Sequence, residues 1–242
     1  MKNLIALLLT FALVLSLSAC GQKTVETVPA AEQSVAAEMS LDVPTAGGWQ
    51  RPASPAVPDE VKALLDKALE QMDGAVYTPV AYLGSQVVAG TNHALLCRTA
   101  PVVPDAIETW CLVYLYEDLE GNVEMTEVKD SLSSTNLPNE NVSGGWEQPA
   151  SPEVTEEART ALEKAMEGFA GAEYNPVALL STQVVAGMNY CILCERTVTA
   201  PDAETDYALV YVYADLEGNA ELTQIVDFDG TTQMSPSNGE EG

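Results

Sequence analysis

Two stretches of this chain, residues 47–130 and 144–227, are copies of one segment related by a constant offset of 97 positions with no gap. The offset pairs Trp49 with Trp146, Tyr77 with Tyr174, Leu96 with Leu193 and Gly121 with Gly218. The pentapeptide QVVAG occurs at the same place in each copy, as Gln86, Val87, Val88, Ala89, Gly90 and as Gln183, Val184, Val185, Ala186, Gly187. A tandem duplication of this length gives each copy enough chain for its own small core, unlike shorter solenoid units that need stacked neighbours. The expected organisation is two domains, 47–130 and 144–229, joined by a linker at 131–143 that carries Ser133, Ser134, Asn136, Pro138 and Asn139. Residues 230–242, with Ser235, Pro236, Ser237 and Asn238, are expected to form a disordered tail.

The first 19 residues have the form of a secretory signal: Met1 and Lys2, then a short apolar run over 4–17. The run ends in Leu17, Ser18, Ala19, Cys20, Gly21, which resembles the lipobox of bacterial lipoproteins. That resemblance implies cleavage before Cys20, lipidation of its thiol and an extracytoplasmic protein held to the cell envelope by acyl chains. Residues 20–46 show no sustained periodicity and read as a flexible tether. The formal net charge is −26, from 36 acids against 10 lysines and arginines. Such a balance excludes nucleic acid as a partner, because polyphosphate binding needs clustered cations.

In the first copy Val61, Leu64, Leu65, Ala68 and Met72 form one apolar helical stripe, and Asp59 and Glu60 favour the positive helix start. The second copy places Ala158, Ala161, Leu162, Ala165 and Phe169 at the same positions, and Gly74 and Gly171 are expected to stop the helices. Residues 77–88, 91–98, 109–116 and 122–128 are rich in aliphatic, β-branched and aromatic residues between glycine- or proline-bearing breaks, which predicts a four-stranded antiparallel meander. The expected fold class is therefore α+β, with one helix packed on a four-stranded antiparallel sheet in each of two tandem domains. Leu95 to Cys97 and Leu112 to Tyr116 are apolar on both alternating faces, so the sheet side away from the helix is also expected to be covered, sheet contact between domains being one way.

One helix followed by such a meander, with QVVAG at the first hairpin, resembles the cystatin family of cysteine-protease inhibitors. The run Gln86, Val87, Val88, Ala89, Gly90, Thr91, Asn92 is similar to the QVVAGTNY run of stefins and plant cystatins. Gly47 and Gly48, or Gly144 and Gly145, lie ahead of the helix as the trunk glycine of that family does. The resemblance implies tandem cystatin-like domains whose trunk, first hairpin and second hairpin form an apolar wedge that enters the cleft of a papain-like cysteine protease. The protease-binding residues it implies are Gly47, Gly48, Gln86, Val87, Val88, Ala89, Gly90 and Leu119, and in the second copy Gly144, Gly145, Gln183, Val184, Val185, Ala186, Gly187 and Leu216. No catalytic group and no cofactor is implied.

The second hairpin departs from the family. Leu119, Glu120, Gly121, Asn122 and Leu216, Glu217, Gly218, Asn219 replace the family's proline-bearing pair, leaving leucine as the apolar tip, with Asp118 and Glu120 suited to a basic cleft and repelled by an acidic one. A non-inhibitory binding module is the alternative function. Trp49 and Trp146 are expected to pack against the fold. Cys97 and Cys111 fall at facing positions that permit a disulfide in an exported protein, with buried free thiols as the alternative. Cys191 and Cys194 point to opposite faces of one strand. His93 and Cys97, four residues apart on a strand, are separated by about 13 Å, too far for a catalytic dyad. No zinc-ligand pattern or phosphate-binding loop occurs, so no metal is expected.

Overall fold

A computed structural model describes residues 47–70, 72–130, 145–200 and 205–230. The expected signal peptide at 1–19, Cys20, the tether at 20–46, the linker at 131–143, Gly144 and the tail beyond Gly230 lie outside the described residues.

The first copy contributes β1 (Trp49–Gln50), α1 (Asp59–Leu69), β2 (Ala75–Val88), β3 (Gly90–Pro101), β4 (Thr109–Glu117) and β5 (Val123–Asp130). The second contributes α2 (Glu156–Ala165), β6 (Ala172–Val185), β7 (Gly187–Val198), β8 (Thr205–Ala214) and β9 (Ala220–Phe228). Consecutive strands pair antiparallel in two sheets, β1-β2-β3-β4-β5 and β6-β7-β8-β9. This overturns the expected α+β class with one helix on four strands per domain: the described residues are mostly β, the helices are short, and the first sheet has five strands. The extra strand arises because Trp49 and Gln50 pair with Gln86 and Ser85. In the second copy the matching segment makes a single bridge, Glu147 to Thr182.

The helices are 11 and 10 residues long because the last turn of the expected stripe does not form. Beyond α1 the amide of Met72 donates to Leu69 O at 3.0 Å, and beyond α2 that of Phe169 donates to Met166 O at 2.9 Å, i→i+3 bonds that tighten the chain out of the α-helix. Met72 and Phe169 are accordingly exposed, and Phe169 lies edge-on to Tyr174. What remains of each stripe is buried: Val61, Leu65 and Ala68 on α1, and Ala158, Ala161 and Leu162 on α2. α2 also has a side-chain cap, Thr155 Oγ1 accepting from Ala158 N at 3.2 Å.

Strand alternation sends the central residues of each sheet to its two faces, which makes three clusters in all. Leu95, Cys97, Cys111, Val113 and Leu115 face α1, as Ile192, Cys194, Val210 and Val212 face α2. Their neighbours Ala94, Leu96, Trp110, Leu112 and Tyr114, together with Cys191, Leu193, Tyr207, Leu209 and Tyr211, form a single hydrophobic cluster between the sheets. The layers thus run helix, sheet, sheet, helix, and both copies lie within one compact unit, Val43–Gly242. Removing apolar surface from water at about 25 cal/mol per Å² gives a sheet that is apolar on both faces a strong reason to cover the second one.

One pair of polar contacts across this layer comes from equivalent places, and arginines of the first copy add others. Trp110 Nε1 donates to Leu180 O at 2.9 Å, and Tyr207, which occupies the position of Trp110 in the second copy, donates from its hydroxyl to Tyr82 O at 3.3 Å. Arg98 donates to Ala150 O at 2.9 Å and Pro149 O at 3.2 Å, and the Arg51 guanidinium lies 4.8 Å over the Tyr207 ring. Gly230, where the tail was expected to begin, is buried and its carbonyl accepts from the Tyr114 hydroxyl at 2.8 Å.

The long strands β2 and β6 are each interrupted twice, between Pro79 and Ala81 and between Tyr82 and Gly84, and between Pro176 and Ala178 and between Leu179 and Ser181. Proline has no amide to give the ladder, so the register slips beside it. At the second slip the amides of Tyr82 and Leu179 turn to Pro55 O and Pro152 O, both at 2.9 Å. The loop ahead of each helix is fixed there to its sheet.

Candidate functional site

Three segments of the first copy converge at one end of its sheet. The amide of Gly47 donates to Val87 O at 3.0 Å and the Gln86 side-chain amide donates to Gly47 O at 3.0 Å, so the trunk lies against the end of β2. Ala89 alone separates β2 from β3, and its carbonyl accepts from the Tyr116 hydroxyl at 2.5 Å. Register pairs Thr91 with Glu117, which sets the loop after β4 beside the first turn. The same end thus presents exposed Gly47 and Gly48, Val88 and Ala89. Leu119 follows at 82% exposure.

The second copy repeats the arrangement. Tyr213 donates to Ala186 O at 2.5 Å and Met188 pairs with Ala214. Val184, Val185, Ala186 and Leu216 are exposed, Leu216 at 81%. Gly145 is half-buried, and Trp146 behind it is buried, edge-on to Tyr211 at 5.7 Å, while the half-buried Trp49 meets Tyr114 edge-on at 6.3 Å. The tryptophans pack inward from the trunk.

Not every candidate side chain faces outward. Gln86 is a clamp, accepting from Asn92 Nδ2 at 2.9 Å while it donates to Gly47, and Gln183 accepts likewise from Asn189 Nδ2 at 2.7 Å. Val87 is half-buried, and Gly90 is buried where β3 starts against β4. The exposed part of each motif is therefore its valine–alanine turn.

The second hairpins are organised by their aspartates. The Asp118 carboxylate accepts from Glu120 N at 2.9 Å, Asn122 N at 2.7 Å and Asn122 Nδ2 at 2.7 Å. Asp215 accepts from Asn219 N and Asn219 Nδ2, both at 2.7 Å. Hydrogen bonds from the Asn122 side chain, and then from the loop amides, hold the Asp118 carboxyl below its usual range; those of Asn219 do the same for Asp215. Lys67 of α1 donates to Gly121 O at 2.5 Å and Lys164 of α2 to Gly218 O at 2.6 Å, tying each helix to its hairpin. The repeated Asp-Leu-Glu-Gly-Asn run was the available signal for this turn, since an aspartate readily caps amides of the residues that follow.

The cysteines lie deep. Cys97 and Cys111 are direct register partners on the face toward α1, while Cys191 lies in the inter-sheet cluster and Cys194 beneath α2. Burial pushes the Cys97 and Cys194 thiols up, and Cys191 to about 12, so none of these three is a ready thiolate. Among the described residues no group of three or more His, Cys, Asp or Glu is placed to hold a metal ion.

His93 is buried on β3, its Nδ1 hydrogen-bonded to the Tyr82 hydroxyl at 2.8 Å, and its Nε2 is 3.9 Å from the Glu117 carboxylate. Burial lowers its pKa below 6.5, and Glu117 offsets this only in part. The unfolded chain therefore takes up this proton at higher pH than the fold does. Stability from this site is complete above the unfolded pKa and declines as pH falls through it toward the lowered folded value. Wild type should accordingly lose more thermal stability from about pH 7 to about pH 5 than a Tyr82→Leu/His93→Tyr variant that copies Leu179 and Tyr190. Parallel melting-temperature curves for the two proteins would rule the histidine out as the cause.

No protein-family model matches this chain, and no curated protein matches it.

Proposed function

We propose that the exposed end of each sheet is a wedge that occludes the active-site cleft of papain-like cysteine proteases, carried by a non-catalytic protein anchored outside the cytoplasm through lipid on Cys20. The observation that carries this reading is the clustering of exposed apolar side chains at one end of each sheet, Val88 with Leu119 and Val185 with Leu216, beside a trunk hydrogen-bonded to the first hairpin. The leucines and valines of β4 and β8 are buried by contrast. A valine–alanine turn can fill an apolar cleft while its tight backbone offers no extended peptide bond to the nucleophile.

Titration of papain-like proteases with the full mature chain tests the proposal. Wild type should inhibit, and the Val88→Asp/Val185→Asp double variant should inhibit on the order of 100-fold more weakly, because each aspartate takes an unpaired charge into an apolar interface. Each single variant should leave the other wedge working. Absence of inhibition by wild type at micromolar concentration removes the reading. A non-inhibitory binding module is the second reading, favoured by the Leu-Glu-Gly-Asn tip at each second hairpin; it would form a stable complex with a partner protein while leaving its active site open.

A further inference from the structure

Beside the hairpins of the second copy lies an open groove of about 510 Å³, between one face of α2 and the sheet end. Its apolar floor is made by Ala161, Met188, Tyr190, Ala214 and Ala220. Three of these are alanines where the first copy has Leu64, Glu117 and Val123. The space therefore belongs to the divergence between copies and not to the shared fold.

The rim is acidic. Glu156 and Glu157 are exposed and make no ion pair among the described residues, and Asp215 adds a third carboxylate. Lys164 is the rim's cation, and its ammonium is already bound to Gly218 O. Two free carboxylates outweigh the partial positive charge of about half a unit at the helix start.

Tyr190 adds a polar atom to the apolar floor. The residue is 8% exposed and lines the groove; no described residue hydrogen-bonds its hydroxyl, which stands open to the groove and not sealed in the core. The reason is a paired change between copies: His93, at the position of Tyr190, bonds the Tyr82 hydroxyl, whereas the position of Tyr82 is taken by Leu179. A phenol oxygen at the edge of an apolar floor, below free carboxylates, matches an N–H donor carried on an aliphatic stem.

We infer that this groove seats an arginine or lysine side chain of the protein on which the second wedge docks, its stem over Met188 and Ala220, its cationic head against Glu156, Glu157 and the Tyr190 hydroxyl. This inference rests on the docking reading given under the proposed function. It makes the second copy selective for a partner with a basic residue flanking the contacted cleft, and it gives the first copy no such preference.

Calorimetric titration of the full mature chain with a capped pentapeptide, a central arginine between leucines, tests the inference apart from inhibition. One peptide should bind per chain at low salt, and the analogue with glutamate in place of arginine should not bind. Affinity should fall about tenfold in the Glu156→Gln/Glu157→Gln variant, whose changes lie on the exposed helix surface and leave the core intact. Ala161→Leu, which copies the first repeat, should block the groove, and its melting temperature shows whether it has folded. Equal affinity for both peptides, binding undiminished in the glutamine variant, or no binding of the arginine peptide at millimolar concentration each overturns the inference. Protease inhibition without peptide binding sinks the groove and keeps the wedge; peptide binding without inhibition keeps the groove and sinks the wedge.

Discussion

Replacing Gly90 by alanine is expected to destabilise the protein by about 3 kcal/mol, the sum of a strained backbone and an overpacked contact. Gly90 has φ of 131°, and a Cβ there would collide with the Glu117 carbonyl and lie 2.8 Å from Tyr116 Cε2. Neither neighbour can yield easily: Glu117 O is backbone, and the Tyr116 ring is held by its hydrogen bond to Ala89. Gly121 provides the control. Its φ of 80° is also left-handed, but a Cβ there meets open space, so Gly121→Ala should cost only about 1 kcal/mol. Urea unfolding midpoints at unchanged slope measure both. Equal losses would mean that the close approach of β3 to β4 is not what requires glycine in the motif.

Tyr114→Ala should cost about 4 kcal/mol, as large-to-small changes of aromatic residues in close-packed interiors do. Tyr114 is fully buried in the inter-sheet cluster, meets Trp49 edge to face, and donates to Gly230 O. Tyr114→Phe separates packing from polarity: it keeps the ring, strips the Gly230 carbonyl of its donor, and should cost about 1–2 kcal/mol. The same denaturation experiment decides. A phenylalanine variant as damaged as the alanine variant would place the stabilisation in the hydrogen bond and not in the ring.

The strands were largely legible because their signals are local. Runs at 77–88 and 109–116 correspond to β2 (Ala75–Val88) and β4 (Thr109–Glu117), bounded by Gly74, Ala89 and the acidic turn at Asp118. The helices came out shorter than their stripes since Met72 and Phe169 fit a helical spacing but lie exposed beyond the turn that ends each helix, and spacing carries no information about what a side chain will meet. The five-stranded sheet was missed because Trp49 and Gln50 join β2 through backbone groups that every sequence possesses. Apolar character on both faces of Leu95 to Cys97 told that a second cover exists. It did not identify that cover, which is set by residues far away in sequence, as Trp110 on Leu180 illustrates.

At the candidate site the glycines and the exposed Val88 and Leu119 followed from motif and turn chemistry. The inward role of Gln86 did not, because a glutamine beside a turn can serve a partner or its own backbone equally well. Nor did the capping role of Asp118 follow, because charge alone does not tell which carboxylate of an acidic turn also accepts three amide hydrogens. The groove was visible only in the differences between copies, at Ala161 and Ala220, whereas alignment first draws the eye to identities.

The contact between the sheets has the form of a homodimer folded into one polypeptide. Trp110 and Tyr207 hold equivalent places, and each donates to the strand opposite, as residues do across a two-fold axis. Joined in one chain, the halves meet at an effective concentration that dilution cannot lower. They are also released from the requirement of self-complementarity, under which any substitution appears twice. Tryptophan in one half can stand where the other has tyrosine, and a histidine–tyrosine pair in one can be tyrosine and leucine in the other, so that one face can change while its twin does not.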